Sequence, residues 1–205
     1  EEEYDDAQQP EDPEDGDEEE EEYDDAEQPE DDGAWNAEFE ASALTTEESS
    51  SHLYKRASAK PLSKSEREKI LRIHNDYRAR HKAPKLIWNT KAAEFGSNWI
   101  QACQFKHSGG PYGENLAAGY PSFSKSIQAW YNEEKQYNYK RPGFAAATGH
   151  FTQVVWRATK SVGCAKKKCP GRYGNIYICN YDAPGNIVGN NNKYFVDNVK
   201  PRRKN

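Results

Sequence analysis

The sequence predicts an α+β domain built in layers, and three observations support that class. Apolar residues recur at three- and four-residue spacing in the first part of a basic segment, and β-rich runs bounded by glycine take over in its second part. Helices first and strands later within one segment pack as layers around a shared core. The third observation sets the limits of that segment: the charge balance of the 205-residue chain inverts at a dibasic pair, Lys55 and Arg56.

Before that pair, residues 1–54 hold 25 of the 34 acidic residues and no Lys or Arg. Such a composition cannot bury enough apolar surface to offset the entropy of ordering, so 1–56 is expected to be a disordered acidic arm. A near repeat, "EEYDDAQQPED" and "EEYDDAEQPED", is low-complexity duplication and falls short of a packed repeat array. Two readings of Lys55-Arg56 stay open. A kexin-type cleavage there would make the arm a propeptide that masks a basic body, whereas an uncut dibasic linker would leave the arm attached.

Residues 57–205 carry 26 Lys and Arg against 9 Asp and Glu, a net charge of about +17, and are long enough for one domain with a real core. No run of 18 apolar residues is present, so no membrane-spanning helix is expected. The basic surface suits anionic membranes, cell-wall polymers or a host protein. No nucleic-acid motif accompanies it, so nucleic acid is not an expected partner. No Asn-x-Ser/Thr sequon occurs.

Within the domain, "SERE" at 65–68 has capping-box spacing and opens a helix expected over 65–82, with Ile70, Ile73, His74, Tyr77 and His81 facing inward and Pro84 beyond its end. A second helix is expected over 90–103, its stripe formed by Ala92, Phe95, Gly96, Trp99 and Cys103. A third, over 124–137, aligns Ala129, Trp130, Glu133 and Tyr137. That stripe separates two adjacent carboxylates: Glu133 shares the inward face, while Glu134 is rotated by ~100° to another side. An inward carboxylate needs a polar partner. Farther on, "HFTQVVW" at 150–156 alternates as a strand, "GNIYICNY" forms a second β-run, and "CAKKKCPGRYG" reads as the basic hairpin connection between them.

All four cysteines, Cys103, Cys164, Cys169 and Cys179, lie in the basic domain. Their even count fits two disulfides in an oxidising compartment, with three connectivities open. Zinc ligation is the weaker alternative, because CxxC pairing is lacking.

Four motifs occur in order: "HNDYR" at 74–78, "HSGGPYGENL" at 107–116, "GHFTQVVWRAT" at 149–159 and "ICNYDAPGNI" at 178–187. Together they resemble the CAP superfamily, comprising the cysteine-rich secretory, antigen 5 and pathogenesis-related proteins, across about 63–199. "HSGGPYGENLA", "AWYNE" and "PGF" ahead of "GHFTQVVW" look most like its fungal secreted sterol-binding members. The resemblance implies an α-β-α sandwich with a central antiparallel sheet and a shallow cavity lined by His107, Glu114, Glu133 and His150. Two imidazoles there could take a loosely held divalent cation such as zinc, with the carboxylates supporting them. An activated water in the same cavity would make a metal-assisted hydrolase, and the bland alternative is that these groups only hydrogen-bond loops together. No serine or cysteine sits in a nucleophile setting, so an enzyme is not expected.

In the loop "YNYKRPGF" at 137–144, Tyr137, Tyr139 and Phe144 have the spacing of the caveolin-binding-like loop with which similar fungal proteins engage sterols. Aromatic rings with a wet polar edge suit a rigid apolar body carrying one hydroxyl. The resemblance also implies disulfides Cys103–Cys169 and Cys164–Cys179, and a fatty-acid groove as a second lipid site. The expected function is that of a secreted lipid-binding protein, extracellular or in the cell wall. The alternative is a secreted effector or defence protein acting on membranes, cell wall or host partners.

Overall fold

The computed structural model describes residues 61–203. The acidic arm and the Lys55-Arg56 pair lie outside the described residues. The chain runs α1 (Lys64–Arg80), β1 (Ile87–Trp88), α2 (Thr90–Trp99), β2 (Gly113–Ala118), α3 (Phe123–Asn132), α4 (Gly149–Val155), β3 (Ser161–Lys168), β4 (Asn175–Asp182) and α5 (Lys193–Asn198). The strands form one sheet in the order β1-β3-β4-β2. The pairs β3/β4 and β2/β4 are antiparallel, and the two-residue β1 adds a parallel edge.

Alternation along β4 explains the layers. Tyr177, Cys179 and Tyr181 belong to the larger core with residues of α1, α3 and α4, while Ile176 and Ile178 pack with Ile100, Leu116 and Ala165 on the other face. That second face carries α2: Asn180 donates from Nδ2 to the Ala92 carbonyl at 3.0 Å. Gly163 of β3 lets the helix come this close, since a Cβ there would collide with the backbone of Asn89 and Ala93. The result is the expected α-β-α sandwich.

Three local expectations differ from the structure. The capping box is formed by Ser63 and Glu66, two residues before the expected pair: Glu66 N donates to Ser63 Oγ (3.2 Å) and Ser63 N to Glu66 Oε2 (2.9 Å). The spacing occurs twice in "SKSERE", and the earlier copy also places Glu66 on Lys166 of β3 at 2.5 Å, a cross-element contact the later copy lacks. That ammonium and the capping bonds hold the Glu66 carboxyl down at about 2. The third helix stops at Asn132 and tightens into a 3-10 turn over Glu133–Gln136, so its last residues fan out.

The third difference is larger: "GHFTQVV" is helix α4, not a strand. Phe151 to Val155 are all buried, so no exposed face remains to distinguish a period of 2 from one of 3.6. Partners at both ends select the helix. At the N-terminal end the Phe151 N–H donates to Glu133 Oε2 at 3.0 Å, placing a carboxylate where the helix dipole favours one. At the C-terminal end the Arg78 guanidinium donates to the carbonyls of Val154 (2.9 Å) and Trp156 (2.8 Å). The strand of this region is β3, farther along: residues 164–168 of the expected connection are strand, and only 169–174 join it to β4.

The buried face of α1 is more polar than its apolar spacing suggests. His74 is fully buried, its Nδ1 donating to the Ile70 carbonyl (2.9 Å) and its Nε2 accepting from the Tyr181 hydroxyl (2.9 Å). Burial pushes His74 down to about 4, which keeps the ring neutral and able to accept that proton. Tyr181 in turn accepts from Asn115 Nδ2 at 3.4 Å. Asn75 clamps the turn after α1, donating to the Leu86 carbonyl (3.1 Å) and accepting from Leu86 N (2.7 Å).

Candidate functional site

The four site residues expected from sequence form two histidine–carboxylate pairs. His107 lies in the loop after α2, and Glu114 is the second residue of β2. Their separation, Nδ1 to Oε1, is 2.8 Å. Ser108 completes the cradle, donating from N to Glu114 Oε1 (3.0 Å) and from Oγ to Oε2 (2.7 Å). In the second pair His150, at the start of α4, approaches Glu133 from Nδ1 to Oε1 at 2.6 Å. An ionised carboxylate only accepts, so both imidazoles carry hydrogen on Nδ1, and the lone pair of the neutral ring sits on Nε2.

Exposure sorts the roles within each pair. The side chains of Glu114 and Glu133 are 6% and 17% exposed, those of His107 and His150 41% and 34%. The carboxylates are therefore the buried supports and the imidazoles the presented groups. Trp130 stacks on His150 with ring centroids 6.0 Å apart, and its Nε1 donates to the Leu116 carbonyl (3.1 Å), so α3 is pinned to β2 behind the ring.

Asn115 ties the two pairs together. Next to Glu114 in β2, it donates from Nδ2 to the His150 carbonyl at 3.1 Å as well as to Tyr181. A chain of hydrogen bonds thus runs from α1 through His74, Tyr181 and Asn115 to the backbone of His150. Sequence reasoning passed over Asn115, although it stands inside "GENL" beside a residue that was singled out. Among the described residues, no group of three or more His, Cys, Asp or Glu is arranged to hold a metal ion. The four residues form two orienting couples and not one four-ligand cage.

Glu134 faces elsewhere, as the rotation predicts, yet it is as enclosed as Glu133, at 15% exposure. It accepts from the Tyr139 hydroxyl (3.0 Å), pairs with Arg202 Nε (3.4 Å) and lies 3.7 Å from His81 Nε2. Burial and this carboxylate push the Tyr139 phenol up, so it stays a donor. The aromatic loop is thereby anchored at one end and open at the other. Tyr137 is in the core, edge-on to Tyr139 at 4.9 Å and beside Phe151 at 5.6 Å. Phe144 is 48% exposed, and its ring edge rests over Gly149.

The disulfides join Cys103 to Cys169 and Cys164 to Cys179. The first pins the segment after α2 to the end of β3; the second links paired residues of β3 and β4. With this fold, these bridges and the two couples in place, comparison with known proteins settles the family. The model of the CAP family, described as the cysteine-rich secretory protein family, matches residues 71–181. The chain belongs to this family.

Among CAP relatives, Repressed by EFG1 protein 1 of Candida albicans is 44% identical over 147 residues, covering 67% of this chain and 54% of that protein. Protein PRY2 of Saccharomyces cerevisiae is 47% identical over 133 residues, covering 62% and 39%. The chain therefore spans about half or less of the length of these fungal relatives. The crystal structure of NaASP2 with Zn2+ shares the CAP fold, with a TM-score of 0.56 at 22% identity over 70% of this chain and 89% of that one. No helix among the described residues is long and apolar enough to cross a membrane.

Proposed function

We propose that this CAP domain is a secreted, non-enzymatic carrier of sterols or related small hydrophobic molecules, and that Phe144 of the 137–144 loop is its principal ligand contact. The observation that carries this reading is the unequal anchoring of the loop. Tyr137 is buried and Tyr139 is tied to Glu134, while the Phe144 ring lies half exposed beyond Pro142 and Gly143. An exposed aromatic on a loop fixed at its other end offers apolar surface to a ligand without unfolding the core. Titration of the full chain with radiolabelled cholesterol or ergosterol is expected to show saturable binding, weakened about tenfold or more in Phe144→Ala, the loss of one buried ring. Absence of saturable binding, or equal binding by both proteins, refutes the assignment.

The non-enzymatic part is supported by the hydroxyl that is bonded to the site's Glu114. Ser108 Oγ donates to Glu114 and accepts from Gly110 N at 3.1 Å, so it is bonded to a support and not to a histidine that could activate it.

The His/Glu couples fit a divalent ion in a limited way. A carboxylate on Nδ1 is the arrangement that orients a metal-binding imidazole, so His107 and His150 would supply Nε2, with Glu114 and Glu133 as supports. At most two imidazole ligands make the site weak and exchangeable. A bound ion would supply a Lewis-acidic centre for a polar headgroup or carboxylate. Calorimetric titration with zinc chloride is expected to show one binding step in the full chain that is missing from the His107→Ala/His150→Ala double variant. A double variant that titrates like the parent overturns this assignment.

A further inference from the structure

Exposed apolar side chains and exposed cations lie close together next to the loop just described. Phe144 rests on Gly149, whose carbonyl accepts from Asn186 Nδ2 at 2.8 Å. Thr152 Oγ1 also bonds Asn186 Oδ1 at 2.5 Å, so the segment after β4 is fastened beside the Phe144 ring. The next two residues, Ile187 and Val188, are 46% and 65% exposed. On the other side Gly143 lies against the Asn192 side chain. Two segments distant in sequence thus meet at α4: Phe144 rests over Gly149, and Asn186, bonded to Gly149 and Thr152, is followed in the chain by the exposed Ile187 and Val188.

The segments that carry them bear charge of one sign. No Asp or Glu occurs between Lys135 and Tyr181, and none between Ala183 and Val196. Lys140 and Arg141 are exposed and enter no ion pair; their backbone N–H groups both turn onto Asn138 Oδ1, at 2.9 and 3.3 Å. Glu134, the carboxylate nearest Lys140 in sequence, is turned inward onto Tyr139 and Arg202, and the exposed Asp182 stands at the end of β4, five residues before Ile187. Apolar tips beside lysine and arginine with no carboxylate among them match one kind of surface: an anionic bilayer, whose headgroups attract the cations while its interface accepts the apolar side chains.

We propose that Phe144, Ile187 and Val188, with Lys140 and Arg141, form a docking face for anionic lipid bilayers, through which the lipid ligand is exchanged. The proposal rests on the lipid-binding reading for its purpose but not for its geometry. Docking puts the open end of the 137–144 loop against the membrane, so a sterol moves between bilayer and loop without crossing water.

The test is co-sedimentation of the full chain with sterol-free vesicles of phosphatidylcholine alone or with phosphatidylserine added. Binding is expected only to the mixed vesicles, and to fall as salt rises. Lys140→Glu/Arg141→Glu is expected to weaken it about twentyfold or more, from a roughly fivefold contribution per cation. Ile187→Ser/Val188→Ser is expected to weaken it about tenfold. Lys168→Glu/Arg172→Glu makes the same charge change at the far end of the β3/β4 hairpin and is expected to have a small effect. If the hairpin pair matters as much as the loop pair, adhesion is diffuse charge attraction and the face is refuted. It is refuted equally if no mixed-vesicle binding occurs, or if the Ile187/Val188 variant binds like the parent. Sterol titration of the same variants separates the two ideas: vesicle binding without sterol binding removes the carrier reading and leaves the face, and the converse removes the face alone.

Discussion

Replacing Arg78 with methionine is expected to lower the unfolding free energy by about 4 kcal/mol, within the range found when one member of a buried charged network is removed. Arg78 is fully buried on α1, and its guanidinium donates to four carbonyls: Pro84 (2.8 Å), Val154 (2.9 Å), Trp156 (2.8 Å) and Thr159 (2.9 Å). Burial pushes the group down to about 10, which still leaves it a cation at neutral pH. A buried charge is tolerable here because its donors are nearly all used; three of the carbonyls it serves belong to the end of α4 and the turn into β3, where no helical N–H reaches them, and the fourth, that of Pro84, to the turn after α1. Methionine fills much of the volume and withdraws from all four acceptors, of which the Trp156 carbonyl keeps the Thr159 N–H at 3.2 Å. Lysine keeps the charge but has three donors on one point, so Arg78→Lys is expected to cost about half as much. Urea denaturation followed by tryptophan fluorescence measures both. A methionine variant within about 1 kcal/mol of the parent would show that the carbonyls find water or other donors, contrary to this account.

The same residue shows what could and could not be read from the sequence. "HNDYR" was recognisable as a motif, and the 3.6-residue spacing of α1 identified His74 and His81 as inward, but a polar residue on a helix face carries no mark of what it meets 76 residues later. The stripe through Trp130 and Tyr137 did select Glu133, because a carboxylate in an apolar row needs a partner; that the partners are His150 and the Phe151 N–H depends on α4 being a helix. Its misreading as a strand has a definite cause. A run from Phe151 to Val155 that is buried throughout has β propensity and no solvent face of its own, and the interactions that overrule propensity, Glu133 at one end and Arg78 at the other, come from other elements. Glu134 is rotated off the inward stripe, yet it meets the Tyr139 hydroxyl and Arg202, a contact between segments that local periodicity cannot anticipate. The layers, by contrast, were legible, since β4 alternates cleanly between its two cores.

Removing the Cys103–Cys169 bridge by substitution with alanine is expected to destabilise the domain by about 4 kcal/mol, and removing Cys164–Cys179 by about 3 kcal/mol or less. The bridged residues are 66 and 15 positions apart, and the entropy that a crosslink takes from the unfolded chain grows with the logarithm of the loop it closes. Native context widens the difference. Cys164 and Cys179 are direct partners in the β3/β4 ladder, so the backbone bonds of eight paired positions keep that pair together without the sulfur link. Cys103 stands at a left-handed turn just past the helical segment Ile100–Ala102, with one backbone bond, to Ile100, and the bridge is what fastens it to β3. Accessibility orders the chemistry in the same way: Cys103 is half-buried, whereas Cys164 and Cys179 are buried in the larger core. Under graded dithiothreitol, mass spectrometry of alkylated protein is therefore expected to show Cys103 and Cys169 modified before Cys164 and Cys179, with stability falling at the first step. His107 stands four residues after Cys103 in the same loop, so loss of that bridge is also expected to loosen the His107–Glu114 couple while His150–Glu133, held by α3 and α4, persists. Simultaneous loss of both couples on reducing the first bridge would mean that the site depends on global folding alone and not on this local fastening.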